Sequence, residues 1–376
     1  MDGIDAVVVR FEPNTPLSPL TSSSYTWLAA ETYPVSDALA HALLEARRYA
    51  ENAIDANLET SLDAPWARAL DEALTAAFTE AALNAIHASG LDASQINAIA
   101  SHGQTIAHRP QANPPVSVQL ADPQAIADRT GITTVGRFRE ADLAAHGQGA
   151  PLAPLLHQAL FESADARRAI INLGGIANVT CILPGQPVMG FDTGPANVLL
   201  DLHHRQHHRV AFDQDGQWAQ SGQVLPELLA QCQQDPFFQQ PPPKSTSIEH
   251  FGEAWLARQL AGFAAAKPAD IQATLAELTA ATIGEALGAF QPIDEVRLCG
   301  GGAHNSDLVE RLQRRLPECA FGPVGGDALN VDHLEAFLFA WLGRACLLGH
   351  AFDTSSITGA EHPVVLGQIH SPQSKA

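Results

Sequence analysis

Basic residues are scarce in this chain: 21 Lys+Arg stand against 41 Asp+Glu in 376 residues, a formal charge of −20. Such a balance repels phosphate backbones and argues against nucleic acid as a partner. Anionic small molecules stay open, because clustered backbone N–H groups hold a phosphate whatever the overall sign. A nucleotide reaching so acidic a protein is expected to bring a divalent cation. Cysteine is also sparse. The five (Cys181, Cys232, Cys299, Cys319, Cys346) form no C-x-x-C and no even framework, as expected of reduced thiols in a cytosol. Long apolar runs are missing as well. The most apolar stretch, Ala336 to Phe352, is broken by Arg344 and His350 and reads as a core helix. Asp2 and Asp5 in the first apolar stretch exclude a signal peptide, so the expectation is a soluble cytoplasmic protein without membrane partners.

What is present is globular. Hydrophobic residues make up 46% and charged ones 16%, too apolar for a disordered chain, and the length suits two domains at roughly 150 residues each. Ala6 to Phe11 reads as a buried β-branched strand, and 37–54 and 65–89 as two long helices. Ile96 to Ser101 and Val116 to Leu120 predict strands, and Pro123 to Thr130 a helix with Asp122 as N-cap. A helix is expected around Leu152–Glu162. Two strands from Ala169 to Ile182, joined through Gly174-Gly175, read as a hairpin. Helices at 252–266 and 269–289, strand Val296–Cys299, helix Ser306–Arg315 and a last helix over Val331–Leu348 complete the pattern. Strands alternating with helices predict an α/β fold with mixed sheets. Gly3 to Val9 is echoed by Gly175 to Cys181, each a glycine turn running into a strand, which raises the possibility of a duplicated fold.

Several clusters are chemically suggestive. Gly190-Phe191-Asp192-Thr193-Gly194-Pro195 predicts an aspartate at a strand end opening a helix, where backbone N–H groups keep it ionised as a general base. Simple helix capping by Asp192 is the plainer alternative. Gly300-Gly301-Gly302 between a strand and a helix lets backbone approach a ligand, though it matches neither Walker nor G-x-G-x-x-G spacing and is also a common tight turn. Ser101-His102-Gly103-Gln104-Thr105 follows a strand, where α/β proteins bind ligands, and suits sugar hydroxyl or amide groups. In Arg137-Phe138-Arg139 an arginine is placed to hold a carboxylate bidentately, or else to pair on the surface with Glu140 or Asp142. His203-His204-x-x-His207-His208 has zinc-like spacing, but without a neighbouring third ligand it reads as a solvated polar face, and no metal site is assigned.

Taken in order, these blocks resemble the anhydro-N-acetylmuramic acid kinase family, sugar kinases of the actin/hexokinase/Hsp70 superfamily. The resembling segments also include His108-Arg109-Pro110, Ala141 to Ala145, Gly147 to Leu152, Asn172 to Asn178, Asp213 to Gly216, Pro241 to Thr246, Glu335-Ala336 with Phe339 to Leu342, and Thr358 to Ala360, and they cover nearly the whole chain. The resemblance implies an actin-like, ribonuclease H-like duplicated fold with a central nucleotide cleft. Its lobes would be 1–165 and 166–376, leaving open that the C-terminal segment packs back on the first. It implies that ATP with Mg²⁺ phosphorylates O6 of 1,6-anhydro-N-acetylmuramic acid while water opens the bridge at C1, in peptidoglycan recycling. Asp192 matches the catalytic base and Glu335 a second carboxylate. Asp2, Gly3, Asp5, Gly174, Gly175, Asn178, Gly300, Gly301, Gly302 and Asn305 match the ATP-binding positions. His102, Gln104, Thr105, Arg139, Gln148 and Gly194 match those on the sugar side. A homodimer is the family's frequent assembly.

The chain departs from the pattern in three places. Met1 stands inside the family's Ser-Gly-Thr-Ser-x-Asp-Gly-Ile-Asp, so the reading expects a start assigned too late. Arg137 replaces an aspartate, and His146 a glycine. Two other readings fit the residues: a sugar-binding homologue with impaired catalysis, and a kinase for another anhydro sugar such as levoglucosan.

Overall fold

A computed structural model describes residues 3–52, 65–248, 250–325 and 331–373. Two compact units divide the chain: residues 1–160 with 332–376, and residues 161–331. Among the described residues no helix is long and apolar enough to cross a membrane.

The first unit begins with β1 (Gly3–Phe11), antiparallel to β2 (Tyr25–Pro34), where the Val7-Val8-Val9 run favours extended backbone. Helices α1 (Asp37–Asn52) and α2 (Pro65–Ala88) follow, and α2 packs against β1. The expected strand over 96–101 contracts to β3 (Ile99–Ala100), because a 3₁₀ turn occupies Ala93–Gln95 just before it. A hairpin of β4 (Gln104–Arg109) and β5 (Val116–Leu120) leads to α3 (Pro123–Thr130). There Asp122 accepts from the Gln124 N–H at 3.0 Å, and Gly131 closes the helix at φ 71°. Next come β6 (Thr134–Gly136), parallel to β3, and the short α4 (Glu140–Ala144).

The second unit holds a five-stranded sheet. Strands β7 (Arg168–Leu173), β8 (Ile176–Ile182) and β9 (Met189–Pro195) form an antiparallel meander. After helices α5 (Asn197–His208) and α6 (Pro268–Gly288), β10 (Glu295–Cys299) joins parallel to β7. Helix α7 (Ser306–Arg315) then leads to β11 (Ala320–Pro323), parallel to β10, giving the order β11-β10-β7-β8-β9. This mixed α/β sheet is the class the alternation of elements implied. Its core joins Ile171, Val179, Phe191 and Val296 of the sheet to Ile283 and Leu287 of α6 and Leu308 and Leu312 of α7. Each fully buried aliphatic of this kind contributes about 1.5–3 kcal/mol. The helix expected over 252–266 ends at Leu260, because the chain must reach Lys267 extended (ψ 135°) ahead of Pro268, which opens α6.

Residues 332–376 return to the first unit. The expected helix from Val331 starts instead as a 3₁₀ turn, and α8 (Leu334–Leu347) begins one turn later. Strand β12 (Gln368–His370) lies antiparallel to β6 and makes the sheet β12-β6-β3. The echoed segments fall on β1 and β8, each followed by its antiparallel partner. In the second unit β7 lies between β8 and β10. In the first, β1 and the segment carrying β3 border a cavity of about 960 Å³, which Phe78, Ala81, Ala82 and Ala85 of α2 and Phe339, Ala340 and Gly343 of α8 also line.

Buried Asp142 locks one loop of this unit. Its Oδ1 accepts from Thr354 Oγ1 (2.6 Å) and Thr358 Oγ1 (2.7 Å), and its Oδ2 from the Gly149 N–H (2.7 Å). A Cβ on Gly147 would lie 2.2 Å from that Oδ2, so only glycine fits there. The Gln148 N–H donates to the Thr358 carbonyl at 2.9 Å, which fixes a residue expected on the sugar side. Asp142→Ala strands three donors, and chemical denaturation should show a loss of about 3 kcal/mol or more. A loss within experimental error would mean that the loop is held by other contacts.

Candidate functional site

Polar residues form part of the lining of the first unit's cavity. Gly3, Asp5, His102, Gln104, Thr105, Arg139 and Glu335 all line it. Arg139 leads into α4 and Glu335 lies in the first turn of α8, so two helix starts bring the pair together. Arg139 Nη2 lies 3.0 Å from His102 Nε2. A guanidinium only donates, so Nε2 accepts and the imidazole is neutral with its proton on Nδ1. Burial, and then the Arg139 charge, hold the His102 pKa well below the usual histidine range. Its ring stacks on Phe339 at 4.2 Å with an interplanar angle of 9°.

Arg139 is itself half-buried, and its buried Nε has no partner among the described residues. Burial brings its pKa down to about 10, with Glu335 opposing the shift. Burial likewise raises the Glu335 carboxyl, against the pull of Arg139 and with the push of Asp5. Asp5 Oδ1 accepts from Thr32 Oγ1 at 2.6 Å. Thr105 Oγ1 accepts from Gln119 Nε2 at 3.3 Å, and Gln104 Nε2 donates to the Thr105 carbonyl at 3.4 Å. Of the two neighbouring arginines, only Arg139 turns inward. Arg137 pairs with Glu140 at 2.9 Å, with its side chain 46% exposed. Asp2, matched to the ATP side, lies outside the described residues.

The second unit carries the other expected positions. Asp192 does not sit at a helix start. It lies inside β9, opposite Asn178 of β8 beside a register shift, and the strand runs on to Pro195. Gly194 at φ 146° lets the backbone continue extended beneath Phe238, whose Cε1 would be 2.6 Å from a Cβ there. With no helix N-terminus at hand, Asp192 Oδ2 accepts from the Thr246 N–H at 2.8 Å, and its own N–H donates to the Lys244 carbonyl at 3.0 Å. Burial pushes its pKa up to about 7, against the Thr246 N–H and the Lys244 charge. The carboxylate is therefore poised near neutrality rather than firmly ionised, which corrects the capped-aspartate expectation.

The glycine turns lie at the end of the same sheet. The carbonyls of Gly174 and Gly175 accept from the N–H groups of Asn197 (3.0 Å), Ala196 (2.9 Å) and Val198 (3.1 Å), which fixes this turn against the start of α5. Gly300 adopts φ 78°, and a Cβ there would lie 2.5 Å from Asn172 Oδ1. A Cβ on Gly302 would lie 2.8 Å from Leu173 Cβ, whereas on Gly301 nothing approaches closer than 4.0 Å. Gly300 and Gly302 thus serve the packing against β7, and Gly301 leaves room for a ligand. Asn305 caps α7, accepting from the Leu308 N–H at 3.0 Å.

Two further observations revise the sequence reading. His203 and His204 are buried rather than solvated: His203 stacks on Trp218 at 5.2 Å and lies 2.8 Å from Gln272 Oε1. Among the described residues no group of three or more His, Cys, Asp or Glu converges as metal ligands do. Lys244 and Thr246, which the sequence marked only as part of a resembling segment and with no role, prove to be surroundings of Asp192.

Comparison with known proteins agrees on one family. The family described as anhydro-N-acetylmuramic acid kinase matches residues 1–372. A protein of that name from Xylella fastidiosa (strain Temecula1) is 45% identical over 372 residues, covering 98% of this chain and 93% of its own. One from Chromohalobacter salexigens is 42% identical over 381 residues, covering 99% and 96%. One from Xanthomonas campestris pv. campestris (strain 8004) is 48% identical over 302 residues, 80% of each chain. Among solved structures, the activator of 2-hydroxyisocaproyl-CoA dehydratase from Clostridium difficile with bound ADPNP is similar over 70% of this chain and 81% of its own, at 16% identity and a TM-score of 0.37.

The hydrogen bond from Arg139 to His102 has a direct consequence. The His102 imidazole should stay neutral over about pH 6–8 in an NMR titration, and Arg139→Met should bring its midpoint up toward the ordinary histidine value. A midpoint near the ordinary value in the unaltered protein would contradict the geometry.

Proposed function

This chain belongs to the anhydro-N-acetylmuramic acid kinase family, and on that premise we propose that it is an ATP-dependent kinase in peptidoglycan recycling. It opens the 1,6-anhydro bridge of anhydro-N-acetylmuramic acid with water and phosphorylates O6, giving N-acetylmuramic acid 6-phosphate and ADP. The observation that carries this reading is Asp192, a half-buried carboxylate held by one backbone N–H at 2.8 Å, whose desolvation pushes its pKa up to about 7. A base titrating near the working pH is at its most effective. Asp192 takes a proton from water as the water oxygen bonds to C1. The C1–O6 bond breaks, and its electron pair stays on O6, which attacks the γ-phosphorus as ADP leaves. The rest of the barrier is lowered by positioning and by neutralising charge on the transferred group.

Arg139 supports the substrate assignment. Its guanidinium lines the cavity with the buried Nε unsatisfied, so a lactyl carboxylate is the ligand that would complete it. A neutral sugar such as levoglucosan leaves that cation without an anion from the substrate. Gln104 and neutral His102 line the same cavity and offer polar groups to sugar hydroxyls. The Gly174-Gly175 turn and the open face of Gly301 are the places for the nucleotide. Asp5 keeps a carboxylate oxygen beyond the one bound to Thr32, a hard donor suited to Mg²⁺. Bound Mg²⁺ would neutralise charge on the triphosphate. The described cysteines are all free, in keeping with a cytoplasmic enzyme.

Asp192→Asn should lower kcat by about 10²–10⁴ and leave sugar affinity by calorimetry within a few-fold; retained turnover would reject the base. Because the base must be deprotonated, kcat/KM of the unaltered enzyme should fall as pH drops through about 7. A profile flat across that interval would contradict the assignment. Arg139→Met should weaken binding of the anhydro-muramic sugar about tenfold or more while leaving levoglucosan binding unchanged. Equal losses for both sugars would remove the carboxylate contact.

A further inference from the structure

Leu173 ends β7, and its carbonyl lies between the two glycine turns of the second unit. On one side the chain runs straight into Gly174-Gly175. On the other, a Cβ on Gly300 would stand 2.9 Å from the Leu173 oxygen and one on Gly302 3.1 Å from it. The side chain that reaches this oxygen is Asn197, the first residue of α5, whose Nδ2 donates to it at 2.8 Å. The Asn197 backbone N–H donates to the Gly174 carbonyl at 3.0 Å. Its Oδ1 lies against the other turn, 2.9 Å from where a Cβ on Gly302 would be, and its Nδ2 is 4.0 Å from one on Gly301. A single half-buried asparagine is thus bonded to the first turn, bonded to the carbonyl between the turns, and packed against the second. Capping α5 does not call for that carboxamide, since the Gly174 and Gly175 carbonyls already accept the N–H groups of Ala196, Asn197 and Val198.

We propose that Asn197 is a positioning residue for the nucleotide: its carboxamide sets the separation of the Gly174-Gly175 and Gly300–Gly302 turns, and with it the fit of a nucleotide held between them. The proposal rests on the placement of the nucleotide at these turns given above. A carboxamide suits the task because donor and acceptor sit on one short, planar group. Without Nδ2 the Leu173 carbonyl loses its donor, and without the rest of the group a void opens beneath Gly302 into which the second turn can settle. Gly302 is fitted to the same side chain from the other direction, since a Cβ there would meet Asn197 Oδ1 at 2.9 Å as well as Leu173 Cβ at 2.8 Å. The two positions are distant in sequence, so their fit reflects the spacing of the turns rather than the local needs of either.

The test uses the full chain with Asn197→Ala, which removes the carboxamide, and Asn197→Asp, which keeps its shape but has no N–H for Leu173. Aspartate in the first turn of α5 favours the helix, so a weakened fold cannot explain a loss seen in that variant. ADP with Mg²⁺ is the probe, titrated by calorimetry beside a separate titration with the anhydro-muramic sugar. Both variants should bind ADP about tenfold more weakly and raise KM for ATP by a similar factor. Affinity and KM for the sugar should stay within about twofold of the unaltered protein. Unchanged ADP affinity in folded Asn197→Ala overturns the proposal and leaves the nucleotide reading in place. A loss confined to Asn197→Asp also overturns it, because charge repulsion alone then accounts for the effect. Equal losses for ADP and sugar overturn it too, as a general loosening of the protein. An unaltered chain that binds no ADP overturns the nucleotide reading itself, and this proposal with it.

Discussion

Taking a carboxylate out of water costs several kcal/mol unless something replaces the lost hydration. In the second unit this cost arises at Asp192. The strand that carries it has β8 on one side and the 244–246 segment on the other, so its backbone is satisfied. Its side chain is left with a single backbone donor and a nearby lysine. That is enough to bury the group and too little to hold it firmly ionised. A fuller set of donors would give an inert anion, and none would give a permanently protonated acid. The intermediate state is the one a base needs.

The first unit solves the opposite problem, a half-buried cation. Arg139 leans on a histidine that can only accept from it, and shares its surroundings with Glu335 without forming a hydrogen-bonded pair. The Phe339 ring fixes the histidine plane. Much of the cavity's wall runs along β1 and the apolar faces of α2 and α8, with Asp5, His102, Gln104, Arg139 and Glu335 among its polar lining.

Elements governed by local chemistry were legible in the sequence. Asp122 before Pro123 marks the start of α3, and the structure uses it as the cap. The Ser306–Arg315 helix and the Gly174-Gly175 hairpin follow for the same reason. Asp192 was legible as a residue of interest but not in its setting. Thr-Gly-Pro after an aspartate looks like a helix start, and only the seat of Phe238 above Gly194 shows why the strand continues. Lys244 stood in a resembling segment but without a role, since its setting depends on a strand about fifty residues earlier in the sequence. Arg139 and Glu335 could be paired only through a family resemblance, because no periodicity links residues so distant. The histidine run misled for a related reason: Trp218, which buries His203 and His204, lies beyond the end of their helix.

The proposed reaction turns on a water molecule activated by Asp192 against the acetal carbon of the sugar. Crystallography of the full chain with the anhydro sugar and a non-hydrolysable ATP analogue tests this most directly. The expected result is an ordered water within about 3 Å of both the Asp192 carboxylate and C1, on the side of the ring opposite O6. A sugar bound with C1 beyond the reach of any water held by Asp192 would contradict it.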